Sequence, residues 1–371
     1  MAPNAKASHS SWPGLDDPLV VNALGWISNP NLRLERRDDR ARSKAIHDDE
    51  RRAIDARALA EARQSGITAV NVTVGYVAGD MEPFEYTVRE IALWDALVRS
   101  RPDDLVKVLN VADIRRAKAE GKIGIIYGFQ NAAMMGDNAG RVDIFADLGV
   151  RVIQLTFNIR NQLGDGSMVA ENRGLTDFGR AVVERLNDRH LLVDLSHSGE
   201  RTCLDAISHS RDPVAITHTG CRALCDLPRN KSDAELRRLA DKGGVAGIYF
   251  MPFLTPDGRP TADDVVRHIE HAVNVCGEDH VGIGTDGPVT AIDDLALYEE
   301  ALRAEVEARM RAGVAAKGER ADTYPFVLDL RGPDQFRKLA HLIARRGHKA
   351  ARIEKILGGN FLRLMSEVWR V

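Results

Sequence analysis

The chain has 371 residues, of which 44% are hydrophobic, and its 51 basic and 54 acidic residues give a formal net charge of −3. This length suits one large α/β barrel with insertions, and the interspersed charges exclude both a nucleic-acid-binding face and an acidic tail. No stretch of about 18 apolar residues occurs, and the N-terminus (MAPNAKASHSSWPG) lacks the apolar region of a signal peptide. We therefore expect no membrane span and a cytoplasmic location.

After a polar segment at residues 1–16, which we expect to be a loose arm, the chain alternates strand-like and helix-like segments. The strand-like segments are almost continuously apolar and rich in β-branched residues, as strands buried on both faces of a parallel sheet are. The eight segments are 18–25, 67–74, 122–129, 151–158, 191–197, 213–219, 244–250 and 280–286.

Amphipathic segments separate these strands. In one of them Ser232 is followed by Glu235 and the pattern stops at Gly243, which predicts a capping box and a C-terminal glycine. The four clearest helical segments are 48–66, 174–190, 232–244 and 261–277. Eightfold alternation predicts an α/β fold, a (β/α)₈ TIM-like barrel that forms one domain over residues 17–371. No G-x-G-x-x-G follows the first strand, which counts against a dinucleotide-binding sheet.

Two segments are longer than ordinary loops, at about 158–174 and 287–333. Both leave from carboxyl ends of strands, where barrel enzymes have their active sites, so we expect both to wall or cover the site. The second contains a charged helix at 293–312, for which a dimer contact is the alternative. The four cysteines are expected to be reduced thiols, with zinc binding by the C-x₃-C pair Cys221 and Cys225 as the alternative.

Three polar side chains end strands at the predicted barrel mouth. His197 ends the fifth strand, His218 the sixth and Asp286 the eighth. Imidazole nitrogens bind zinc, iron or copper, and a carboxylate beside them can accept a proton from attacking water. We therefore predict that all three act both as metal ligands and in catalysis.

Two histidines are a poor ligand set, since a catalytic zinc usually has three protein ligands. A third ligand is expected from Asp286, from the amide oxygen of Gln130, or from Cys221. Gln130 ends the third strand, and its alternative role is a hydrogen bond to substrate or backbone.

Two further groups are predicted to contact a small-molecule substrate. Arg229, after the sixth strand, suits a bidentate contact with a substrate carboxylate, with a surface ion pair as the alternative. Asn158, with Arg160 and Asn161 nearby, follows the fourth strand and offers polar groups at the mouth.

Several stretches together resemble the membrane (renal) dipeptidase family of metallopeptidases, a branch of the amidohydrolase-like barrels. They follow the family's order from about residue 120 to the C-terminus and comprise GLTDFGRAVVERLN, LLVDLSHSGERT, PVAITHTGCRAL, PRNKSDAELRRLADKGGVAGI, GEDHVGIGTD and KILGGNFLRL. The resemblance implies a homodimeric barrel with two zinc ions that hydrolyses dipeptides. It implies that His197 and His218 bind one zinc, that Asp286 lies at the metal centre and that Arg229 contacts the substrate carboxylate.

The chain departs from the family at the other half of the site. The family's His-x-Asp of strand one falls on Leu24 and Trp26, its bridging Glu on Gln130, and a further active-site His on Phe157. The run VVNALGWISNPN…GFQNA is similar to a bacterial subgroup with the same altered site. Two zinc ions are therefore not expected to assemble.

Three hypotheses follow. The first is a dipeptidase-like metallohydrolase with one zinc per chain, or another divalent metal, that cleaves the amide bond of a small carboxylate-bearing molecule. The second is a metal-free or non-hydrolytic barrel enzyme of small-amine or amino-acid catabolism that uses the histidines and Asp286 as acid and base. The third is a non-catalytic binding protein that keeps the fold.

Overall fold

Parallel strands form the centre of the molecule. The structure, a computed structural model, describes residues 11–35, 51–311, 313 and 315–370. Its nine strands are β1 Val21–Asn22, β2 Ala69–Thr73, β3 Leu105–Lys107, β4 Ile123–Phe129, β5 Val150–Gln154, β6 Leu192–Asp194, β7 Ala215–Thr219, β8 Val245–Ile248 and β9 Val281–Ile283. The order in the sheet is β1-β2-β4-β5-β6-β7-β8-β9, with β3 paired to β4.

Backbone hydrogen bonds between the first and last strands close the sheet. Ala23 N donates to Ile283 O at 3.0 Å, and Asp286 N donates to Leu24 O at 3.0 Å. Since each strand of the ring then has two neighbours, the predicted (β/α)₈ TIM-like barrel is confirmed. Strand β3 is not predicted from the sequence, because its three residues are too few to give an apolar run.

Helices cover the outside of the barrel. They are α1 Pro30–Glu35, α2 Ala56–Ser65, α3 Pro83–Ser100, α4 Val111–Ala119, α5 Arg141–Asp147, α6 Asp177–Asp188, α7 Glu200–His209, α8 Asp233–Asp241, α9 Ala262–Cys276, α10 Leu295–Arg311, α11 Gln335–Arg345, α12 Ala350–Glu354 and α13 Asn360–Val368. The capping box predicted before α8 is present: Ser232 Oγ accepts from Glu235 N, and Glu235 Oε2 accepts from Ser232 N at 2.8 Å. In the described residues, no helix is long and apolar enough to cross a membrane.

The last helix, α13, closes the barrel at the amino ends of the strands. Its buried residues Phe361 and Met365 pack against Val21 of β1 and Val245 of β8. Gly282 permits this contact, because a Cβ at that position would lie 2.6 Å from the Phe361 ring. The amino end of the barrel is therefore filled, and the opposite end is left for the site.

The two long segments lie at the carboxyl ends of the strands. The first is ordered by buried Asp165, whose Oδ1 accepts from Arg160 Nη1 at 2.7 Å, so Arg160 is engaged within its own loop. The second contains α10, which buries Leu302 and Val306. Of the predicted N-terminal arm, residues 1–10 lie outside the described residues, and Trp12 packs on the core beneath the Arg337 guanidinium.

Candidate active site

Two histidine rings meet where β6 and β7 end. His197 follows β6, and its ring centroid lies 4.9 Å from that of His218, which lies within β7. His197 is 5% exposed and lines a cavity, whereas His218 is fully buried behind it. The structure therefore brings together the two histidines that the sequence predicts.

Both rings are held through Nδ1 by an oxygen atom. The Nδ1 atom of His197 lies 2.7 Å from Asn158 Oδ1, and that of His218 lies 2.9 Å from Thr217 Oγ1. An amide oxygen only accepts, so with this orientation of the amide His197 carries its proton on Nδ1 and its lone pair on Nε2. Such contacts fix the ring and the tautomer of a metal-binding histidine.

Buried Asp194 controls the direction of the Thr217 hydrogen bond. Thr217 Oγ1 donates to Asp194 Oδ2 at 2.6 Å, and Ser196 Oγ donates to Asp194 Oδ1 at 2.5 Å. Because both hydroxyl protons point to the carboxylate, Thr217 has only a lone pair to offer His218, so His218 Nδ1 donates to it. Burial raises the pKa of Asp194, and the hydrogen bonds from Ser196 and Thr217 oppose this shift.

His218 Nε2 is a buried nitrogen with no hydrogen-bond partner among the described residues. Burial, and secondarily the charges of Arg229 and Lys231, hold the pKa of His218 well below its ordinary value. The imidazole is therefore neutral near pH 7 and presents a lone pair, which is the form that binds a metal ion.

Arg229 and Asp286 lie beyond the histidines. Arg229 is 1% exposed, donates from Nη1 to Ser196 O at 2.7 Å and lies over the Tyr249 ring, so the alternative of a surface ion pair is wrong. Burial lowers the pKa of Arg229, and the charges of Tyr249, Asp286 and Asp194 oppose this shift. Asp286 has a left-handed backbone with φ of 54°, a conformation that L-residues rarely adopt and that is common at functional sites.

An open cavity of about 990 Å³ joins these groups. Gln130 lines it, with Nε2 donating to Thr73 Oγ1 at 2.8 Å, and Asn158 and Arg229 line it too. The segment 287–333 supplies about half of the wall. Its lining residues are Tyr298, Leu302, Glu305, Val306, Arg309, Ala316, Glu319, Arg320, Thr323 and Pro325. The cavity is open to solvent, so a small molecule has access to His197 and Arg229.

The sequence model described as membrane dipeptidase (peptidase family M19) matches residues 31–303. The chain belongs to the membrane dipeptidase family. A crystal structure of an amidohydrolase from Pseudomonas aeruginosa is 32% identical, with a TM-score of 0.76 and coverage of 95% of this chain and 97% of that one.

Two curated proteins are similar to this chain. An uncharacterized protein from the pqqA 5′ region of Klebsiella pneumoniae is 28% identical over 305 residues, 79% of this chain and 99% of that protein. Dipeptidase tcpJ of Claviceps purpurea is 28% identical over 288 residues, which is 76% of this chain but 60% of the dipeptidase. Membership of the family makes the chain a dipeptidase-like hydrolase.

Membrane dipeptidases are metallopeptidases, and the residues of this member fit a metal ion in part. The two imidazoles fit, because both Nδ1 atoms are anchored and His218 Nε2 has no protein partner among the described residues. Within the described part of the chain, however, no three His, Cys, Asp or Glu side chains form a group that could hold a metal. The charge of Asp286 acts on buried Arg229 and Tyr249, and a ligand set of His197, His218 and Asp286 stays a prediction.

Apolar side chains occupy the other half of the site. Leu24 is buried, Trp26 lines the cavity, and the Phe157 ring stacks on His197 with centroids 4.4 Å apart. No role of Thr217 is predicted from the sequence. For Asn158 the sequence predicts a contact with substrate but not the hydrogen bond to His197. The polar residues Asp194 and Ser196 just before His197 were the only hint of a hydrogen-bond network. The alternation of side chains along a strand does not show that this network reaches His218 on the next strand.

Proposed function

We propose that this membrane dipeptidase family member hydrolyses the C–N amide bond of a small substrate that carries a carboxylate, with one metal ion rather than two. The observation that carries this proposal is the pair His197 and His218, each anchored at Nδ1, beside a cavity that contains buried Arg229. The proposal includes zinc as the metal; the homodimer stays a prediction from the sequence.

His197 and His218 would hold the ion through Nε2, with Gln130 or Asp286 as a further ligand. When bound, the ion would act as a Lewis acid that polarises the scissile carbonyl and activates water. Arg229 binds the substrate carboxylate and places the amide beside the histidines. Asp286 accepts a proton from the attacking water and returns it to the leaving nitrogen.

A second candidate is acid–base chemistry without a metal. It is favoured by the lack of a third clustered His, Cys, Asp or Glu ligand in the described residues. In that case His218, whose pKa lies well below its ordinary value, accepts a proton at neutral pH but does not supply one.

Elemental analysis of protein purified without added metal or chelator tests the proposal. We expect about one zinc per chain, and loss of that zinc in His197→Ala and in His218→Ala. His209→Ala is the matched control, because His209 pairs with Glu184 at the surface of α7. Full metal retention in the double histidine variant would contradict the ligand assignment, and activity that survives exhaustive chelation would favour the second candidate.

A further inference from the structure

The cavity wall carries as many carboxylates as guanidinium groups. The charged lining residues are Arg229, Arg309, Arg320, Asp286, Glu305 and Glu319. A charged group of the substrate binds best to a charge of the wall that has no ion-pair partner in the protein.

Arg309 pairs with both glutamates of the wall. Its Nη1 lies 2.6 Å from Glu305 Oε1, and its Nε lies 2.6 Å from Glu319 Oε1. The other oxygen of Glu319 accepts from Ala316 N at 3.0 Å. Both carboxylates therefore have a partner in the protein, and a substrate ammonium group would have to compete with Arg309 for them.

Arg229 differs from Arg309 in its partners. Among the described residues, its guanidinium donates to the neutral carbonyl of Ser196, and no ion pair there includes it. Arg320, by contrast, pairs with Asp322 at 2.8 Å and is half-exposed. Arg229 is therefore the guanidinium of this cavity that is placed to receive an anionic group.

The remainder of the lining is largely apolar. Besides Trp26 and Phe157, it includes Met251, Pro252, Phe253, Leu302, Val306, Ala316 and Pro325. Phe157 lies directly on the His197 ring, so the surface next to the reaction centre is aromatic. An apolar group gains from burial there, whereas an ammonium group would lose water and would meet only carboxylates that already interact with Arg229 or Arg309.

We propose that the substrates are N-acyl amino acids with an apolar acyl group, rather than dipeptides with a free α-ammonium group. The carboxylate binds Arg229, the amide lies beside His197, and the acyl chain packs on Trp26 and Phe157. Water adds its hydroxyl to the acyl carbon as the C–N bond breaks, and a proton passes to nitrogen, so that a carboxylic acid and a free amino acid result. This assignment rests on the proposed hydrolysis.

A matched pair of compounds tests the substrate class. Propionyl-alanine and alanyl-alanine differ only by the ammonium group. With the intact protein we expect kcat/KM to be at least tenfold higher for propionyl-alanine, and calorimetry on metal-free protein to show the same preference in binding. Equal or better use of alanyl-alanine would overturn the assignment.

The binding measurement separates this inference from the proposed function. If neither compound is hydrolysed but propionyl-alanine binds more tightly, the hydrolysis fails and the substrate class stands. If neither compound binds, the substrate class is wrong.

Arg309→Met tests whether the ion pairs of Arg309 cause the preference for propionyl-alanine. It frees Glu305 and Glu319, so the preference should shift toward alanyl-alanine by at least tenfold, whereas Arg309→Lys keeps the positive charge and should shift it less. An unchanged preference in folded Arg309→Met would show that these glutamates do not govern the choice. If Arg309→Met does not fold, the comparison of the two compounds on the unaltered protein still decides the proposal.

Discussion

Thr217→Val removes one hydroxyl from the contact that orients His218. Thr217 Oγ1 lies 2.6 Å from Asp194 Oδ2 and 2.9 Å from His218 Nδ1. Valine has nearly the same volume and is also β-branched, so β7 keeps its packing and its backbone pairing. The substitution therefore removes the two hydrogen bonds with little change of shape.

The expected cost has two parts. Asp194 and His218 are buried, and leaving one buried polar group without its partner costs about 1–3 kcal/mol, so for the two groups we expect the free energy of unfolding to fall by about 2–6 kcal/mol. Loss of the group that orients a metal-binding histidine typically weakens metal binding about 10–100-fold, and we expect the same for zinc here.

Two measurements check these values. Nitrogen-15 NMR of histidine-labelled, metal-free protein should show His218 protonated at Nδ1 in the unaltered protein and a mixture of tautomers in Thr217→Val. Competition with a chelator should show the weaker zinc affinity. Thr217→Ser keeps the hydroxyl and should restore both properties.

Thr219→Val is the matched control for stability. It removes a buried hydroxyl from the same strand, but that hydroxyl donates to the carbonyls of Gly220 and Arg229 and not to a histidine. If Thr217→Val and Thr219→Val lose stability equally and zinc affinity changes in neither, Thr217 is a packing residue. Protonation of His218 at Nε2 in the unaltered protein would refute the orientation outright.

Three further outcomes are expected. Gln130→Glu should strengthen zinc binding by supplying an anionic ligand; an unchanged dissociation constant would mean that Gln130 does not touch the metal. In a triple variant that combines Gln130→Glu with Leu24→His and Trp26→Asp, the zinc content should rise from about one to about two per chain. A content that stays at one would show that the missing ligands do not belong on strand one. Burial lowers the pKa of His268 to about 4, so the unfolded chain takes up a proton below about pH 6.5 that the native protein does not. Stability should therefore fall from about pH 6.5 to 4, by about 3 kcal/mol from this residue, and urea unfolding of His268→Gln should show a correspondingly flatter pH dependence.

The barrel was predictable because its strands are buried on both faces and its helices are strongly amphipathic. Apolar runs such as 122–129 and 244–250 contain the observed β4 and β8, and Ser232 with Glu235 locates the start of α8. The three residues of β3 have too little apolar sequence to stand out from their charged neighbours. Their pairing with β4 depends on the tertiary fold rather than on local pattern.

The candidate site was predictable only where strand ends determine position. His197 and His218 end neighbouring strands, and the structure brings them together as expected. Asp286 also follows a strand, at a residue whose backbone is in the left-handed region, and its place in the ligand set stays a prediction. Sequence spacing gives the location of a residue but not the direction of its carboxylate.

The proposed single metal ion and the proposed acylated substrate have a common cause. Trp26 and Phe157, which stand where a binuclear site would need ligands, are also the aromatic surface beside His197. Replacing charged or polar ligands with these rings lowers the local polarity, so that the charge of buried Arg229 acts more strongly on a substrate carboxylate. On the proposed function, these two rings account both for the lower number of metal ions and for the apolar surface that receives the acyl group. On this basis, a change of metal number and a change of substrate should occur together, and restoring ligands at strand one should weaken the preference for acylated substrates.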